Sequence, residues 1–206
     1  MEAFLVSTGV VALAEIGDKT QLLSLVLAAR FRQPWAIVLG IVAATLVNHA
    51  LAGAAGAWIA GLVGPAVLRW GLALSFMAMG AWALVPDRLG DEDVRAGHAS
   101  VFVTTCVSFF LVEMGDKTQI ATVALAARFS ALAAVVAGTT VGMVMANAPV
   151  VFLGDRLTRR IPLRFVRAVA AATFVLLGLI VLLAPPARSD LLPLVPPPGI
   201  EPGSSA

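Results

Sequence analysis

The sequence predicts an all-α integral membrane protein with six transmembrane helices arranged as two inverted three-helix repeats. Three observations predict it. Hydrophobic residues make up 60% of the chain and charged residues 13%, with a mean hydropathy of +0.96, whereas soluble domains carry about 25% charge. The apolar runs are long and unbroken, without the alternation of barrel strands. The second half of the chain also repeats the first at a constant offset of 98 residues.

The spans follow from the nearly charge-free stretches. The first is placed at 3–28, and the long run from 33 to 68 holds a second at 34–61, closed between Gly61 and Pro65. The others are placed at 66–85, 101–126, 131–154 and 163–184. Leu27-Ala28-Ala29-Arg30-Phe31 returns as Leu125-Ala126-Ala127-Arg128-Phe129, and Gly40, Gly56, Phe76 and Gly80 return as Gly138, Gly154, Phe174 and Gly178. Three helices is an odd number, so the second copy must enter the membrane from the opposite side. The expected organisation is therefore a first repeat at 1–88, a polar linker at 86–98, a second repeat at 99–186 and a Pro-rich disordered tail at 187–206. Residues 185–206 hold seven of the twelve prolines, which sets that tail apart from the helical repeats.

Arginine placement sets the orientation. Arg30, Arg32, Arg88, Arg95, Arg156, Arg159, Arg160, Arg164 and Arg167 follow the odd-numbered spans, and Arg69, Arg128 and Arg188 lie on the other side. Nine against three puts the first set, with the 86–98 linker, in the cytoplasm and both termini outside. This accounts for most of the basic residues without nucleic acid. The acidic cluster of the linker reads as solvated rather than as a regulatory cation site. Cys106 is the only cysteine, so an intramolecular disulfide and a Cys-based zinc site are excluded. The Met1-Glu2 start has no basic region of a signal peptide.

The functional signal is a seven-residue stretch that occurs twice: Glu15-Ile16-Gly17-Asp18-Lys19-Thr20-Gln21 and Glu113-Met114-Gly115-Asp116-Lys117-Thr118-Gln119. Each copy falls mid-span, where a charge costs about 2.5–3.5 kcal/mol on insertion scales and the default reading is a functional site. On a helix, Glu15 and Asp18 share one face, and Glu113 and Asp116 repeat it. Packed together, the inverted units bring four carboxylates to the midplane. Hard oxygen donors select calcium, magnesium or manganese. Four carboxylates and two lysines leave a formal charge of −2, which one divalent cation neutralises.

Lys19, at i+4, is placed to pair with Glu15, with Lys117 as its counterpart. Gly17 and Gly115 weaken the helix at this turn, and an unwound turn offers carbonyl ligands. Thr20, Gln21, Thr118 and Gln119 are secondary ligand candidates. Asn48, His49 and Asn147 either line the pathway or hydrogen-bond between helices. The competing reading makes each Glu–Lys pair a packing salt bridge. Ala52, Gly56, Ala60 and Gly64 read as a ridge for close helix packing.

With E-x-G-D-K-T in both halves of a six-helix chain, the sequence resembles the Gdt family of calcium/manganese transporters over about residues 1–185. The resemblance implies exchange of a divalent cation for protons, with bacterial relatives exporting manganese. It carries the motif acids over to Glu15, Asp18, Glu113 and Asp116. The short, Ala-rich chain looks like a bacterial, inner-membrane member. The function expected is secondary transport, with protons and metal competing for the same oxygens. The cation is cargo rather than cofactor, and no ATP is expected, because the chain has no G-x-x-x-x-G-K-[ST] loop. Two rivals of other classes stand beside it, export of a cationic amino acid or similar small metabolite and an intramembrane enzyme, and a purely structural membrane subunit would need partners. An intramembrane enzyme has no H-E-x-x-H or G-x-S-x-G to rest on. The expected partners are the ion, protons and the lipid bilayer, and the sequence leaves monomer and homodimer open.

Overall fold

Segments this apolar must satisfy their backbone hydrogen bonds internally, and a helix does so within a single segment. The computed structural model describes residues 1–86, 100–154 and 163–183, and the regular elements among them are all α-helices. In order they are α1 (Glu2–Glu15), α2 (Lys19–Phe31), α3 (Pro34–Leu62), α4 (Pro65–Ala83), α5 (Val101–Glu113), α6 (Lys117–Arg128), α7 (Leu132–Leu153) and α8 (Leu163–Leu183). Apart from Pro86, the linker expected at 86–98 lies outside the described residues, as does the tail at 187–206. Four helices, α3, α4, α7 and α8, are long and apolar enough to cross a membrane. Pro34 and Pro65 stand in the first turns of α3 and α4, where the missing N–H is not needed. Pro149 lies inside α7, which continues past it.

The continuous helices expected at 3–28 and 101–126 are each divided in two. Gly17 (φ +83°) and Gly115 (φ +77°) adopt left-handed backbone that a side chain disfavours. Each break is one tight turn: the Asp18 N–H donates to the Glu15 carbonyl (3.0 Å) and the Asp116 N–H to the Glu113 carbonyl (3.1 Å). The resulting helices, 12 to 14 residues long, reach only about 20 Å at the α-helical rise. That falls short of a hydrocarbon core of about 30 Å. Among the described residues α1 does not pack along α2, nor α5 along α6, so neither pair folds back as a hairpin.

Packing joins the two halves of the chain. Helix α1 lies on α7, α3 on α5, and α4 on α8, and α3 also packs on α6 and α7. The contacts recur at the sequence offset. Gly40 faces the Phe102 carbonyl and Thr105 of α5, while Gly138 faces the Phe4 carbonyl and Ser7 of α1; Gly80 faces the Ala171 carbonyl and Gly178 the Ala73 carbonyl. Of the expected small-residue ridge, Ala52 is buried and Gly56 meets the α6 backbone at Val123, but Gly64 is exposed with nothing beside it.

Buried apolar side chains form two clusters. One gathers α1, α4, α6, α7 and α8 around Phe76 and Phe174; the other gathers α1, α2, α3, α5 and α7 around Phe109 and Met143. Outward-facing leucines such as Leu39, Leu51 and Leu176 remain exposed, as a lipid-facing surface requires. Trp35 at one end of α3, and Trp58 with Trp70 near the other, are exposed, and aromatic residues of this kind are enriched at membrane interfaces. Trp35 packs edge-on against Phe152 (5.2 Å between ring centroids), which sets the start of α3 beside the end of α7.

Candidate metal centre

The two motif copies fold alike. Helix α1 ends at Glu15, Ile16 is extended, Gly17 turns left-handed, and Asp18 is the N-cap of α2, its carboxylate accepting from the Thr20 N–H at 3.5 Å. In the second copy Met114 is extended and Asp116 is the N-cap of α6. The glutamines stabilise the breaks: Gln21 Oε1 accepts from the Gly17 N–H (3.0 Å), and Gln119 Oε1 from the Gly115 N–H (2.8 Å). The threonines turn back onto the glutamates. Thr20 Oγ1 donates to Glu15 Oε2, and Thr118 Oγ1 donates to Glu113 Oε2 at 2.9 Å. Thr20, Gln21, Thr118 and Gln119 thus hold the turn and its acids in place. The shared helical face expected for Glu15 and Asp18 is not formed, because the helix stops between them.

The lysines also differ from expectation. Lys19 does not take the i+4 pairing with Glu15; its Nζ lies 3.4 Å from Asp116 Oδ1 of the other motif. Lys117 Nζ lies 2.5 Å from Asp18 Oδ1. The break removes the helical register that an i+4 pair needs, and juxtaposition of the two turns supplies the new partner. Each aspartate is therefore neutralised across the interface between the halves. The two motif glutamates carry the remaining formal −2.

Oxygens of Glu15, Glu113 and Asp116 lie within 4.8 Å of one another, and all three residues are buried. Asp18 stands outside this group, beside Lys117. Glu15 Oε1 and Glu113 Oε1 accept no hydrogen bond among the described residues. Buried charge of this kind is stable only when something compensates it, and converging hard oxygens suit a divalent cation.

A second layer surrounds the acids. Gln119 Nε2 donates to Asn48 Oδ1 (2.6 Å), and Gln21 Nε2 donates to the Ala146 carbonyl at the equivalent position of the other half (3.0 Å). Asn147 Oδ1 accepts from Ser24 Oγ (2.8 Å), and its amide donates to the Met143 carbonyl (3.1 Å), so it is a hydrogen-bonding link between helices. His49 is fully buried with Nε2 at 4.0 Å from Glu113 Oε2. Ser24 went unnoticed in the sequence, although its position three residues after Gln21 places it on the same face of α2.

No solved structure matches the chain. A family model described as "Divalent cation/proton antiporter GDT1" matches residues 3–91 and 101–188. A protein of Vibrio cholerae serotype O1 named "Putative manganese exporter" is 47% identical over 180 residues, covering 87% of this chain and 90% of the relative. Both matched stretches contain one motif turn, and these turns build the acidic centre. The chain thus belongs to the divalent cation/proton antiporter family GDT1, and is an integral membrane transporter rather than an enzyme.

Proposed function

We propose that this protein exports manganese from the bacterial cytoplasm, across the inner membrane, in exchange for protons, with calcium as a second cargo. The observation that carries the site assignment is the convergence of Glu15, Glu113 and Asp116 from two separate turns, within 4.8 Å and out of solvent. Manganese is favoured because the Vibrio cholerae relative bears that name. In this reading α1 with α2, and α5 with α6, are each one broken span. With α3, α4, α7 and α8 they make six crossings as two inverted repeats, 1–88 and 99–186. The reciprocal glycine contacts and the absence of a hairpin within either pair support it. Both termini lie outside, the 86–98 linker lies in the cytoplasm, and the exposed leucines face lipid.

The mechanism follows from charge. Glu15 and Glu113 bind either the ion or protons, because both compete for the same oxygens. Asp116 contributes an oxygen from the edge of its Lys19 pair, and Asp18 with Lys117 fixes the second turn against the first. Replacing one divalent ion by two protons leaves the charge of the site unchanged, which gives coupling without a separate proton channel. Lowering the pH on the metal-loading side therefore weakens apparent metal affinity. Broken helices at an inverted-repeat interface are also the architecture on which alternating access operates.

The test is manganese and calcium flux into inverted vesicles under an imposed proton gradient, for the wild type and Glu113→Gln. Gradient-driven manganese uptake that the substitution abolishes supports both activity and site. Wild-type vesicles that move no manganese or calcium, yet exchange lysine or arginine for protons, would overturn the cation reading.

A further inference from the structure

We infer that His49 is a nitrogen ligand of the transported ion and the residue that ranks manganese above calcium. The inference rests on the manganese-export reading and adds the basis of its selectivity. His49 is fully buried on α3, inside the second layer of the site, and its Nε2 lies 4.0 Å from Glu113 Oε2. That separation is too long for a hydrogen bond. It suits two donors on one ion, which lie about 3 to 4.5 Å apart for metal–ligand bonds of about 2.1–2.4 Å. Neither ring nitrogen has a hydrogen-bond partner among the described residues, and neither does Glu113 Oε1 on the acid it faces. A buried imidazole is normally satisfied through at least one nitrogen, so His49 has the unspent donor capacity of a ligand.

The other half of the molecule sharpens the argument. The position equivalent to His49 is Asn147, whose oxygen is taken by Ser24 and whose amide is taken by Met143. At equivalent places the two halves therefore offer an uncommitted imidazole and a committed amide. The carboxylates alone do not separate manganese from calcium, since both accept hard oxygens. Calcium takes oxygen ligands, while a first-row transition ion gains from an added nitrogen donor, increasingly along the series from manganese to copper. His49 lies outside the group of three oxygens that come within 4.8 Å of one another and reaches it from the Glu113 side; one imidazole joining there biases the site toward manganese and makes iron and cobalt competitors.

The experiment uses the full-length protein in detergent and in vesicles. Electron spin-echo modulation of bound Mn²⁺ reads nitrogen coupling directly, and vesicle flux reads selectivity. The wild type is expected to show ¹⁴N modulation that is absent from His49→Asn. The variant should raise the KM for manganese about tenfold and that for calcium much less, and an unfolding midpoint in detergent near the wild-type value shows that it has folded. Manganese bound by the wild type without nitrogen coupling would overturn the role of His49 and leave the transport reading standing. So would equal loss of both fluxes in His49→Asn together with modulation retained in its residual bound manganese. A wild type that neither binds nor moves manganese would overturn both readings together.

Discussion

The two motif turns are nearly identical in sequence and in backbone, yet they sit in different surroundings. Gly17 is covered by the start of α8: a Cβ placed there would lie 2.8 Å from Leu163 Cδ2. Among the described residues nothing lies within 4 Å of the same point on Gly115, and the neighbouring Met114 is 55% exposed. The difference arises from the pair α4 and α8. Helix α4 packs on α6, and α8 packs on α1, but α8 on α2 and α4 on α5 show no comparable packing among the described residues. Turn geometry is thus dictated locally, by a left-handed glycine, an aspartate at the N-cap position and a glutamine that ties the break. Cover is dictated by where a distant helix lies. A transporter built on alternating access needs that separation, because the ion-binding turn must persist while its cover changes.

The largest expected effect breaks the comparison at the lysines. Lys117 is 4% exposed and its contact with Asp18 is 2.5 Å, whereas Lys19 is 22% exposed and lies 3.4 Å from Asp116. Removing one partner of a buried pair costs about 3–5 kcal/mol; Asp116 is buried too, so the Lys19 variant is relieved only by the water that reaches the Lys19 side. Lys117→Met should therefore destabilise the protein in detergent more than Lys19→Met, measured as the difference in thermal unfolding midpoint. Equal midpoints would mean that the two cross-pairs carry the same burden and that the exposure difference is without consequence.

A smaller difference is expected at the glycines. Gly17→Ala and Gly115→Ala each force a side chain into left-handed backbone, at about 1–2 kcal/mol. Gly17→Ala must also turn aside the Cδ2 methyl of Leu163, a smaller added cost because that methyl ends a flexible side chain. Unfolding midpoints should fall further for Gly17→Ala, and adding Leu163→Ala should bring the two variants together. A gap that survives the second substitution would show that Leu163 is not its source.

These contrasts also mark how far the sequence could be read. The helices, the duplication and the weak point at Gly17 and Gly115 were legible, because hydropathy and glycine placement act within a few residues. The four motif acids were legible as charges that an apolar span does not otherwise tolerate. The partners of Lys19 and Lys117 were not. Each finds its carboxylate about a hundred positions away, and the i+4 rule that suggested Glu15 lapses once the helix breaks. Thr20 and Gln21 were legible as polar residues beside the site, but their part in holding Glu15 and the turn depends on the same break. The cover over Gly17 had no local signal, since the residue equivalent to Leu163 is Pro65, which begins α4 as Leu163 begins α8.

The smallest expected effect concerns access. If cover by Leu163 governs entry, a cysteine at Met114 should react with a water-soluble thiol reagent faster than one at Ile16, in a Cys106→Ala background that removes the native thiol. Met114 is exposed beside an uncovered turn, and Ile16 is half-buried beside the covered one. Leu163→Ala should narrow the gap by raising the rate at Ile16 without changing that at Met114. A cysteine at Met114 that stays unreactive in vesicles would place its exposed face against lipid, and the difference between the turns would then be one of packing alone. Reaction at Met114 that manganese slows would tie its exposure to the ion path, because the neighbouring Glu113 and Asp116 both belong to the acidic group.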